Sequence, residues 1–490
     1  MKDLWRTLPN WRHHAAVWCR LCALGCLLCA LAYGQSENPA RRPIAFADLP
    51  SALCPWLETQ QFTRENFASQ IAALQRQTAA RQQAGEFDHL IFFVLQSTRF
   101  TARTKVEPAL SAYEFVQGLS KEERAKFLAD DANFLPPRAR MPEAARARLS
   151  EFAQVVQRKK ATVETDERLA YFQSWVQKQR APEIALESLL FAEYARVMRF
   201  LYRKEFAGRE LTPADLAAYV ARLYQERGHS TDTQIEANFA VYTALAALRA
   251  AEPTTRLNNV LIVGPGLDFA PRTDLLELFG PQSYQPFAVA DALLGLGLAD
   301  ADRLRIHCVD INERVITHLQ GLRQRTEITL ALLSGIADTP THPLTEDFKS
   351  YFKQFGRNLG KETALAVPAP YAAHLKKSLR IDTTRNVRIT ADRLNIITER
   401  YAPSPAYDLV VVTNVFPYFK PAELLLALTN LSAMMAEGGY LLHNELQTVP
   451  STFVTPLGLP LVQARTVLLA DSQTTPLFDG VALHRLHRRI

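Results

Sequence analysis

Two glycines follow an apolar run near the middle of the chain. Gly264 and Gly266 lie in the stretch NNVLIVGPGLDFAP, residues 258–271, where the apolar residues continue directly into the turn. Glycine lets the backbone turn sharply and approach a bound molecule without a Cβ in the way. A strand that runs into such a turn is typical of sites for nucleotide-like cofactors. The two glycines alone are weak evidence, so the surrounding residues have to identify the ligand.

The residue three positions after Gly266 argues against a dinucleotide. Nicotinamide and flavin fingerprints place a third glycine there, so that helix and strand can pack closely. This chain has the bulky Phe269 at that position. An NAD-dependent oxidoreductase is therefore disfavoured, although it stays open as an alternative.

Further polar residues stand at the ends of other apolar runs. Asp310 ends LRIHCVD, Asp392 and Arg393 end NVRITADR, and Asn414 follows YDLVVVT. The carboxyl ends of parallel strands meet at one edge of a sheet, so we expect these residues to share one rim with the glycine turn. A carboxylate at Asp310 can accept hydrogen bonds from both ribose hydroxyls of an adenosine. Capping of the helix that follows is an equally good explanation of Asp310.

After residue 258 the sequence predicts strands that alternate with helices. The expected strands are short apolar runs, at 259–264, 304–310, 386–392, 407–416 and 438–445. Helices are expected between them at 285–298, 312–323 and 421–436. Two late segments, 462–470 and 480–489, are expected to form a hairpin on the same sheet. This order predicts an α/β fold with a doubly wound, mostly parallel seven-stranded sheet.

The first half of the chain predicts a mainly helical domain at 35–228. Residues 182–206 carry apolar side chains at helical spacing, and LTPADLAAYVARLYQ has Thr212 as its N-cap. Residues 87–100 fit either a buried helix or a strand. The α/β domain is expected at 229–490, with an insertion at 328–385 that would be a natural lid.

The first 34 residues have the three parts of a secretory signal. A basic flank precedes the apolar run LCALGCLLCALAYG, and Ala30 and Ala32 offer a small-residue cleavage site. We therefore expect a signal peptide at 1–34 and an exported protein, periplasmic or extracellular. A retained N-terminal anchor is the alternative, although the run is short for a span of ~20 residues.

Charge and cysteine usage exclude several classes of protein. The formal net charge of +6 is small for 490 residues, and the basic residues are scattered, so no nucleic-acid partner is expected. We expect no metal site and no disulfide framework. Of the six cysteines only Cys54 and Cys308 lie beyond the signal segment, whose four are Cys19, Cys22, Cys26 and Cys29.

Several motifs in the second half of the chain match those of one known family, and they occur in the same order along the sequence. The segment of about residues 230–445 resembles class I S-adenosylmethionine-dependent methyltransferases, and within them it is most similar to the chemotaxis-receptor glutamate methyltransferases. That family carries N-V-x-x-Y-F after its fourth strand, D-I-(D/N) after its second, then G-G-Y-L, YF and V-R-(F/I). The matching residues are Asn414, Val415, Tyr418 and Phe419, then Asp310, Ile311 and Asn312, then Gly438–Leu441, Tyr351, Phe352 and Val387–Ile389.

The resemblance implies S-adenosylmethionine as the cofactor and a methyl acceptor, either a protein or a small molecule, that the sequence does not identify. Tyr418 is expected to orient the acceptor, and Tyr284 and His443 are weaker candidates for that role. The cofactor-binding residues that the resemblance implies are Gly264, Gly266, Asp268, Asp310, Ile311, Asp392, Arg393, Asn414 and Val415.

The chain also departs from the family pattern. Its first loop is longer and offers Asp268 where the family has a glutamate pair. Thr231 and Thr233 stand in the place of a threonine and an arginine that hold the methionine carboxylate, and no arginine matches. These differences and the export signal support a second hypothesis, an exported, non-catalytic binding or interaction module with the methyltransferase fold.

Overall fold

The computed structural model describes residues 40–129, 134–157, 166–179, 185–208, 211–269, 277–383, 388–445, 449–472 and 476–488. The expected signal peptide at 1–34 and the motif residue Val387 lie outside these ranges. Cleavage and export therefore stay predictions. None of the helices in the described ranges has the length and apolar character that crossing a bilayer requires.

The described strands and helices are numbered here in chain order. The strands are β1 (Ala40–Pro43), β2 (Asn259–Val263), β3 (Arg305–Asp310), β4 (Glu327–Ala337), β5 (Gly360–Thr363), β6 (His374–Asp382), β7 (Arg388–Arg393), β8 (Glu399–Ala402), β9 (Tyr407–Val412), β10 (Met435–His443), β11 (Leu461–Ala470) and β12 (Leu477–Arg485). The α-helices are α1 (Cys54–Thr59), α2 (Phe67–Gln96), α3 (Pro108–Gln117), α4 (Lys121–Leu128), α5 (Glu143–Gln157), α6 (Glu167–Gln179), α7 (Leu186–Tyr202), α8 (Pro213–Glu226), α9 (Ala237–Ala251), α10 (Gln285–Gly295), α11 (Glu313–Leu322), α12 (Glu346–Gln354), α13 (Pro421–Met434) and α14 (Ser451–Val454).

Seven of the described strands form a mixed sheet in the order β11-β12-β10-β9-β2-β3-β7. The pairings from β10 through β9, β2 and β3 to β7 are parallel. Strand β12 pairs antiparallel with both β10 and β11. The α/β class is confirmed, but the expectation of a mostly parallel sheet is corrected to a mixed sheet. The C-terminal hairpin is the reason, because it adds two antiparallel pairings.

The order of the strands places a switch point beside β2. From β2 the chain continues outward through β3 to β7, and it then returns to β9 on the other side of β2. In doubly wound sheets such a reversal opens a crevice beyond the carboxyl ends of the strands, where ligands bind. Strand β2 holds this position because its side chains are buried on both faces: Val260 and Ile262 belong to one core and Leu261 and Val263 to the other.

The helices before the sheet share a core with it. Phe93 of α2, Leu190 of α7 and Ile262 of β2 belong to one cluster of buried apolar side chains. Helix α2 continues to Gln96, so the ambiguous residues 87–100 begin as a buried helix. Thr212 caps α8 as expected, because its side chain accepts a hydrogen bond from the backbone N–H of Asp215. The first half contributes to the cores on both faces of the sheet, because Phe67 and Ile71 of α2 belong to the cluster that holds Leu261 and Val263. The domain boundary at 228 stays a prediction.

The insertion at 328–385 contains a small sheet of its own. Strands β4, β6 and β5 form a three-stranded antiparallel sheet, and α12 lies between β4 and β5 in the chain. The insertion is tied to the edge of the main sheet, because the backbone N–H of Thr345 donates to the carbonyl of Leu469 at 2.9 Å. It is therefore a packed element rather than a loose loop.

Candidate functional site

A pocket lies at the switch point, beyond the carboxyl ends of β2, β3 and β9. It has about 980 Å³ of empty space, a figure that includes open solvent at its mouth. Thr78 and Gln82 of α2 also line it, so the helical half helps to close it. We call it the switch-point pocket; its wall is drawn mainly from 229–234, 263–266, 309–312, 394–397 and 413–419.

The structure brings seven of the ten sequence-predicted site residues to this pocket. Asp268, Asp392 and Arg393 do not line it. The seven that do are Gly264, Gly266, Asp310, Ile311, Asn414, Val415 and Tyr418. The glycine turn and the ends of β3 and β9 are thus neighbours, as the expected sheet requires.

Asp392 and Arg393 lie within β7 rather than beyond its end. Arg393 pairs in register with Asp310, the last residue of β3. The side chain of Asp392 is bonded to Nε2 of His307 at 2.9 Å and is 58% exposed. Strand β7 continues one residue past the expected end at 392, and the pocket wall is instead made by the residues that follow, 394–397. Sequence reasoning missed Asn395 for this reason.

The glycine turn is packed closely against the rest of the pocket wall. Gly264 and Gly266 have φ values of +64° and +74°, a region that favours glycine. A Cβ on Gly264 would lie 2.7 Å from Cγ2 of Val415, and one on Gly266 would lie 2.8 Å from Cβ of Thr233. A side chain at either position would therefore displace the wall of the pocket.

The carboxylate of Asp310 is fixed at the end of β3. Its Oδ1 accepts a hydrogen bond from the backbone N–H of Asn312 at 2.8 Å. Burial raises the pKa of Asp310 to about 6, above the ordinary value of 3.8. The cap of α11 is Asn312, whose side chain accepts from the N–H of Arg314 at 2.9 Å. The Asp310 side chain thus lines the pocket without being the helix cap.

Asn414 is held by a residue that sequence reasoning missed. Strand β9 ends at Val412, so Asn414 lies in the loop beyond it, with a φ of +57°. The backbone N–H of Asn414 donates to Oδ1 of Asn444 at 2.8 Å, and Nδ2 of Asn444 donates to Oδ1 of Asn414 at 3.0 Å. Asn444 stands directly after β10, the strand next to β9, and that adjacency is the signal that could have identified it.

Tyr418 lies where the helical half meets the sheet. Its backbone carbonyl accepts a hydrogen bond from Nη1 of Arg81 at 2.8 Å. Its ring stands edge-on to the rings of Tyr224 and His229, at centroid distances of 5.8 and 5.5 Å. The guanidinium of Arg227 lies 5.7 Å from the same ring. These contacts fix the side chain at the mouth of the pocket.

A second, larger cavity adjoins the first. It has about 2070 Å³ of empty space, including open solvent at its mouth. Its lining includes residues of α8 together with Glu236, Asp268 and Tyr284. We call it the outer cavity; the residues that it shares with the switch-point pocket are Ser230, Asp232, Thr233, Gln234, Asn414 and Tyr418.

Asp268 faces the outer cavity instead of the glycine turn. The hydroxyl of Tyr284 donates to its Oδ2 at 3.2 Å, and its Oδ1 is buried without a hydrogen-bond partner among the described residues. Burial raises the pKa of Asp268 to about 6. The backbone of this loop turns away, because the N–H of Asp268 donates to the carbonyl of Gln282 at 2.8 Å.

Three buried side chains of the switch-point pocket have polar atoms without partners in the described part of the chain. They are Oδ1 of Asn238, Oε1 of Gln285 and both ring nitrogens of His229. Burial lowers the pKa of His229 to about 3, so its ring is neutral at physiological pH. Buried polar atoms are normally paired in proteins, and unpaired ones at a pocket wall are available to a ligand.

Two other expectations concern residues that lie away from the pocket. His443 is buried in the sheet, with its Nε2 3.1 Å from Nε2 of His484. No described residue of the 328–385 insertion lines the switch-point pocket, whereas Leu333 and Gly335 line the adjoining outer cavity, and the role of the insertion as a lid stays a prediction. In the same described ranges no cluster of three or more His, Cys, Asp or Glu side chains could hold a metal ion.

Comparison with known proteins gives structural similarity only. No protein-family model and no curated protein sequence matches the chain. It is similar to the N-methyltransferase NodS from Bradyrhizobium japonicum WM9 in complex with S-adenosylhomocysteine, at 14% identity and a TM-score of 0.27, over 51% of this chain and 86% of that one. It is also similar to magnesium protoporphyrin IX methyltransferase from Synechocystis PCC 6803 with bound S-adenosylmethionine, at 9% identity and a TM-score of 0.26, over 57% and 94%.

A third similar structure is a TehB-like methyltransferase from Corynebacterium glutamicum ATCC 13032, with 12% identity and a TM-score of 0.23, over 56% of this chain and all of that one. The structures named here are thus S-adenosylmethionine-dependent methyltransferases. At these scores the similarity carries no argument about the ligand of this chain, which has to come from its own residues.

Proposed function

We propose that this chain binds S-adenosylmethionine in the switch-point pocket and transfers its methyl group to an acceptor in the outer cavity. The observation that carries the proposal is that the motif residues come together in one pocket. Gly264, the pair Asp310 and Ile311, and the pair Asn414 and Tyr418 come from three distant parts of the sequence, yet all line the crevice where doubly wound sheets bind ligands.

The polar groups of the pocket suit the parts of this cofactor. The carboxylate of Asp310 can accept hydrogen bonds from the ribose hydroxyls. Oδ1 of Asn238 is an unpaired acceptor for the ammonium group of the amino-acid part. Its orientation is fixed, because Nδ2 of the same side chain donates to the carbonyl of Gln234 at 3.1 Å. The hydroxyl of Thr233 can donate to the carboxylate in place of the absent arginine.

When bound, S-adenosylmethionine supplies an electrophilic methyl group. The task of the chain is then to align an acceptor with that group and to exclude water. Asn414 and Tyr418 belong to the walls of both the switch-point pocket and the outer cavity. They therefore stand where an acceptor would have to be oriented, and Tyr418 keeps the role that the sequence predicts for it.

We also propose a family relationship for the sheet and a location for the mature chain. The relationship to the chemotaxis-receptor glutamate methyltransferases rests on the motifs at 414–419 and 438–441, and we propose it for the sheet alone. The receptor-glutamate acceptor is not included, because one wall of the outer cavity is α8 of the helical half. We also propose that residues 1–34 are removed and that the mature chain is exported.

The second candidate function is a non-catalytic binding module. It is favoured by the glycine turn itself, since a Cβ on Gly266 would meet Thr233 and not open space. The turn is thus packed against protein on one side, which narrows the room for a cofactor. Measurement of cofactor binding separates the two candidates.

Isothermal titration calorimetry of the purified chain tests the proposal. We expect S-adenosylhomocysteine to bind with micromolar affinity, about 8 kcal/mol, and NAD to produce no heat. Absence of binding by either adenosyl compound at millimolar concentration would favour the binding module. Binding of NAD in its place would restore the oxidoreductase hypothesis.

A further inference from the structure

We propose that the outer cavity binds an acceptor with a protonatable amine on an apolar body, and that Oδ1 of Asp268 accepts the proton that this amine releases. The inference rests on the proposed function and adds the chemical class of its acceptor. The proton would move to the carboxylate oxygen, and the electron pair left on nitrogen would form the new N–C bond, while the C–S bond to the methyl group would break with its electron pair remaining on sulfur.

The position of the outer cavity makes it the acceptor site of the proposed reaction. It shares Asp232, Asn414 and Tyr418 with the switch-point pocket, so a molecule in it stands next to whatever the pocket holds. Its cavity volume of about 680 Å³, open solvent not included, is in the range of sites that bind an organic molecule of drug-like size. It is much larger than an ion or a water molecule needs.

The charges of its wall favour a cation. The wall carries three carboxylates, Asp232, Glu236 and Asp268, and two cations. Both cations face acids outside the wall: Nζ of Lys204 lies 2.9 Å from Glu205, and Nη2 of Arg227 lies 3.7 Å from Asp88. The wall therefore carries three acids against two cations, and an amine complements it better than a carboxylate acceptor would.

Asp268 is the carboxylate best placed to meet the amine. Its Oδ1 is buried and has no hydrogen-bond partner among the described residues, whereas Oδ2 accepts from the hydroxyl of Tyr284. The cation Arg168 does not use this free oxygen, because its guanidinium donates to the backbone carbonyls of Asp268, Phe269 and Phe279. An N–H donor from a ligand would satisfy an atom that the fold leaves unpaired.

The surroundings of Asp268 also make it a suitable proton acceptor. Burial, with a contribution from the nearby charge of Asp232, raises its pKa to about 6, and Arg168 acts in the opposite direction. Tyr284 donates a hydrogen bond to it and stays protonated, because burial and Asp268 raise its own pKa. A general base is most effective when its pKa lies near the working pH.

The part of the cavity lining that comes from α8 is mainly apolar. Helix α8 contributes Ala217, Val220 and Ala221 to it, together with the ring of Tyr224. A ligand that pairs its amine with Asp268 would therefore lay a hydrocarbon or aromatic body against α8. This arrangement is the reason for assigning an amine on an apolar body rather than a small polar cation.

Three probes with similar bodies test the assignment: 2-phenylethylamine, 2-phenylethanol and 3-phenylpropionate. Their binding to the whole chain is measured by calorimetry and saturation-transfer NMR, with and without S-adenosylhomocysteine. We expect the amine to bind about tenfold or more tightly than the alcohol and the carboxylate. Equal or tighter binding of either of those two, or no binding of any probe, overturns the proposal.

Matched variants locate the amine. Asp268→Asn removes the charge with little change of shape and should weaken amine binding about tenfold while S-adenosylhomocysteine binding stays unchanged. Asp302→Asn, at an exposed turn, is the control and should change neither. An unchanged affinity of Asp268→Asn for the amine contradicts the role of Asp268.

A third variant covers the case in which Asp268→Asn fails to fold. Ala221→Trp, at an exposed position of α8, should fill the cavity and abolish amine binding without loss of S-adenosylhomocysteine binding. Amine binding that survives this change overturns the proposal. If the amine binds the wild-type chain and S-adenosylhomocysteine does not, the proposed function fails while the assignment of the cavity stands.

Discussion

Asp310 combines a fixed position with an unfavourable environment for its charge. Its Oδ1 accepts the N–H of Asn312, and Glu86 adds a second negative charge nearby, while Arg314 lies close enough to lower its pKa. Burial outweighs the favourable contacts, so the pKa of Asp310 rises to about 6. A buried carboxylate with a raised pKa in a pocket is typical of a functional residue.

Replacement of this carboxylate should be costly to cofactor binding. Asp310→Asn removes a charged acceptor, and we expect it to weaken S-adenosylhomocysteine binding by about 1.5–3 kcal/mol, because hydrogen bonds to charged groups contribute that much. Calorimetry measures the change, with Asp302→Asn as the exposed control. An effect no larger than that of the control would show that Asp310 does not contact the ligand.

The raised pKa of Asp310 predicts a pH dependence of binding. The carboxylate is the stronger acceptor when it is charged, and with a pKa of about 6 it becomes protonated as the pH falls from 7.5 to 5. S-adenosylhomocysteine should bind up to about tenfold less tightly at pH 5 than at pH 7.5. The profile of Asp310→Asn should be flat by comparison, and a wild-type profile that is equally flat would contradict the assignment.

Among the elements, α2 determines how the segment 229–233 lies over the glycine turn. Gly85 is in the interior of this helix, and a Cβ on it would overlap the carbonyl oxygen of His229. The N–H of His229 in turn donates to the carbonyl of Arg81 at 3.0 Å. One residue of a helix in the first half thus allows the close approach that shapes the pocket.

A glycine-to-alanine pair tests this packing. Gly85→Ala should destabilise the protein by about 2 kcal/mol or more through overpacking, although alanine is the better helix former by about 1 kcal/mol. Gly321→Ala in α11 is the control, since a Cβ there meets nothing within 4 Å, and it should be neutral or stabilising. Urea unfolding measures both changes. Equal stability of the two variants would refute the close contact of α2 with His229.

The sequence predicts the positions of some strands and helices more accurately than those of others. Strand β2 and helices α8, α10, α11 and α13 lie within a few residues of their predicted positions, because each has an uninterrupted apolar pattern or a clear cap. The end of β9 was less accurate, since the strand stops at Val412 rather than at 416, and the one-residue extension of β7 keeps Asp392 and Arg393 in the strand, away from the pocket wall. Strand ends depend on pairing with neighbouring strands, which a single sequence does not show.

The sheet within the insertion could not be predicted from the sequence. Strand β6 carries the charged run HLKKSLRID, in which Lys377 is buried. Nζ of Lys377 donates to the carbonyl of Phe355 at 2.7 Å, so a partner distant in sequence compensates a charge that the pattern assigns to solvent. The outer cavity was missed for a similar reason, because α8 forms one wall and 232–236 and 268 form another.

The whole molecule places its candidate site between two halves that share a core. Thr78 and Gln82 of α2 line the switch-point pocket, and α8 lines the outer cavity. One face of the sheet buries its apolar side chains in the same cluster as the helices. Both spaces therefore need the helical half for their walls, and the sheet needs it to bury its surface.

Because of this shared core, we expect that the sheet does not fold stably without the helical half. Residues 229–490 produced without the helical half should aggregate or unfold at low denaturant, because the ring of Phe269 would lose the rings of Tyr171 and Phe172, and the shared core would lose the apolar side chains of α2, α5, α6 and α7. Size-exclusion chromatography and circular dichroism provide the measurement, with the whole chain as the reference. A monomeric fragment as stable as the whole chain would instead support two independent domains.

A crystal structure of the whole chain with S-adenosylhomocysteine tests whether the switch-point pocket is the cofactor site. We expect ligand density in this pocket, with the ribose hydroxyls on the carboxylate of Asp310 and the sulfur directed toward Tyr418 and the outer cavity. Density for the ligand at any other site, or an empty switch-point pocket at saturating ligand, would contradict it.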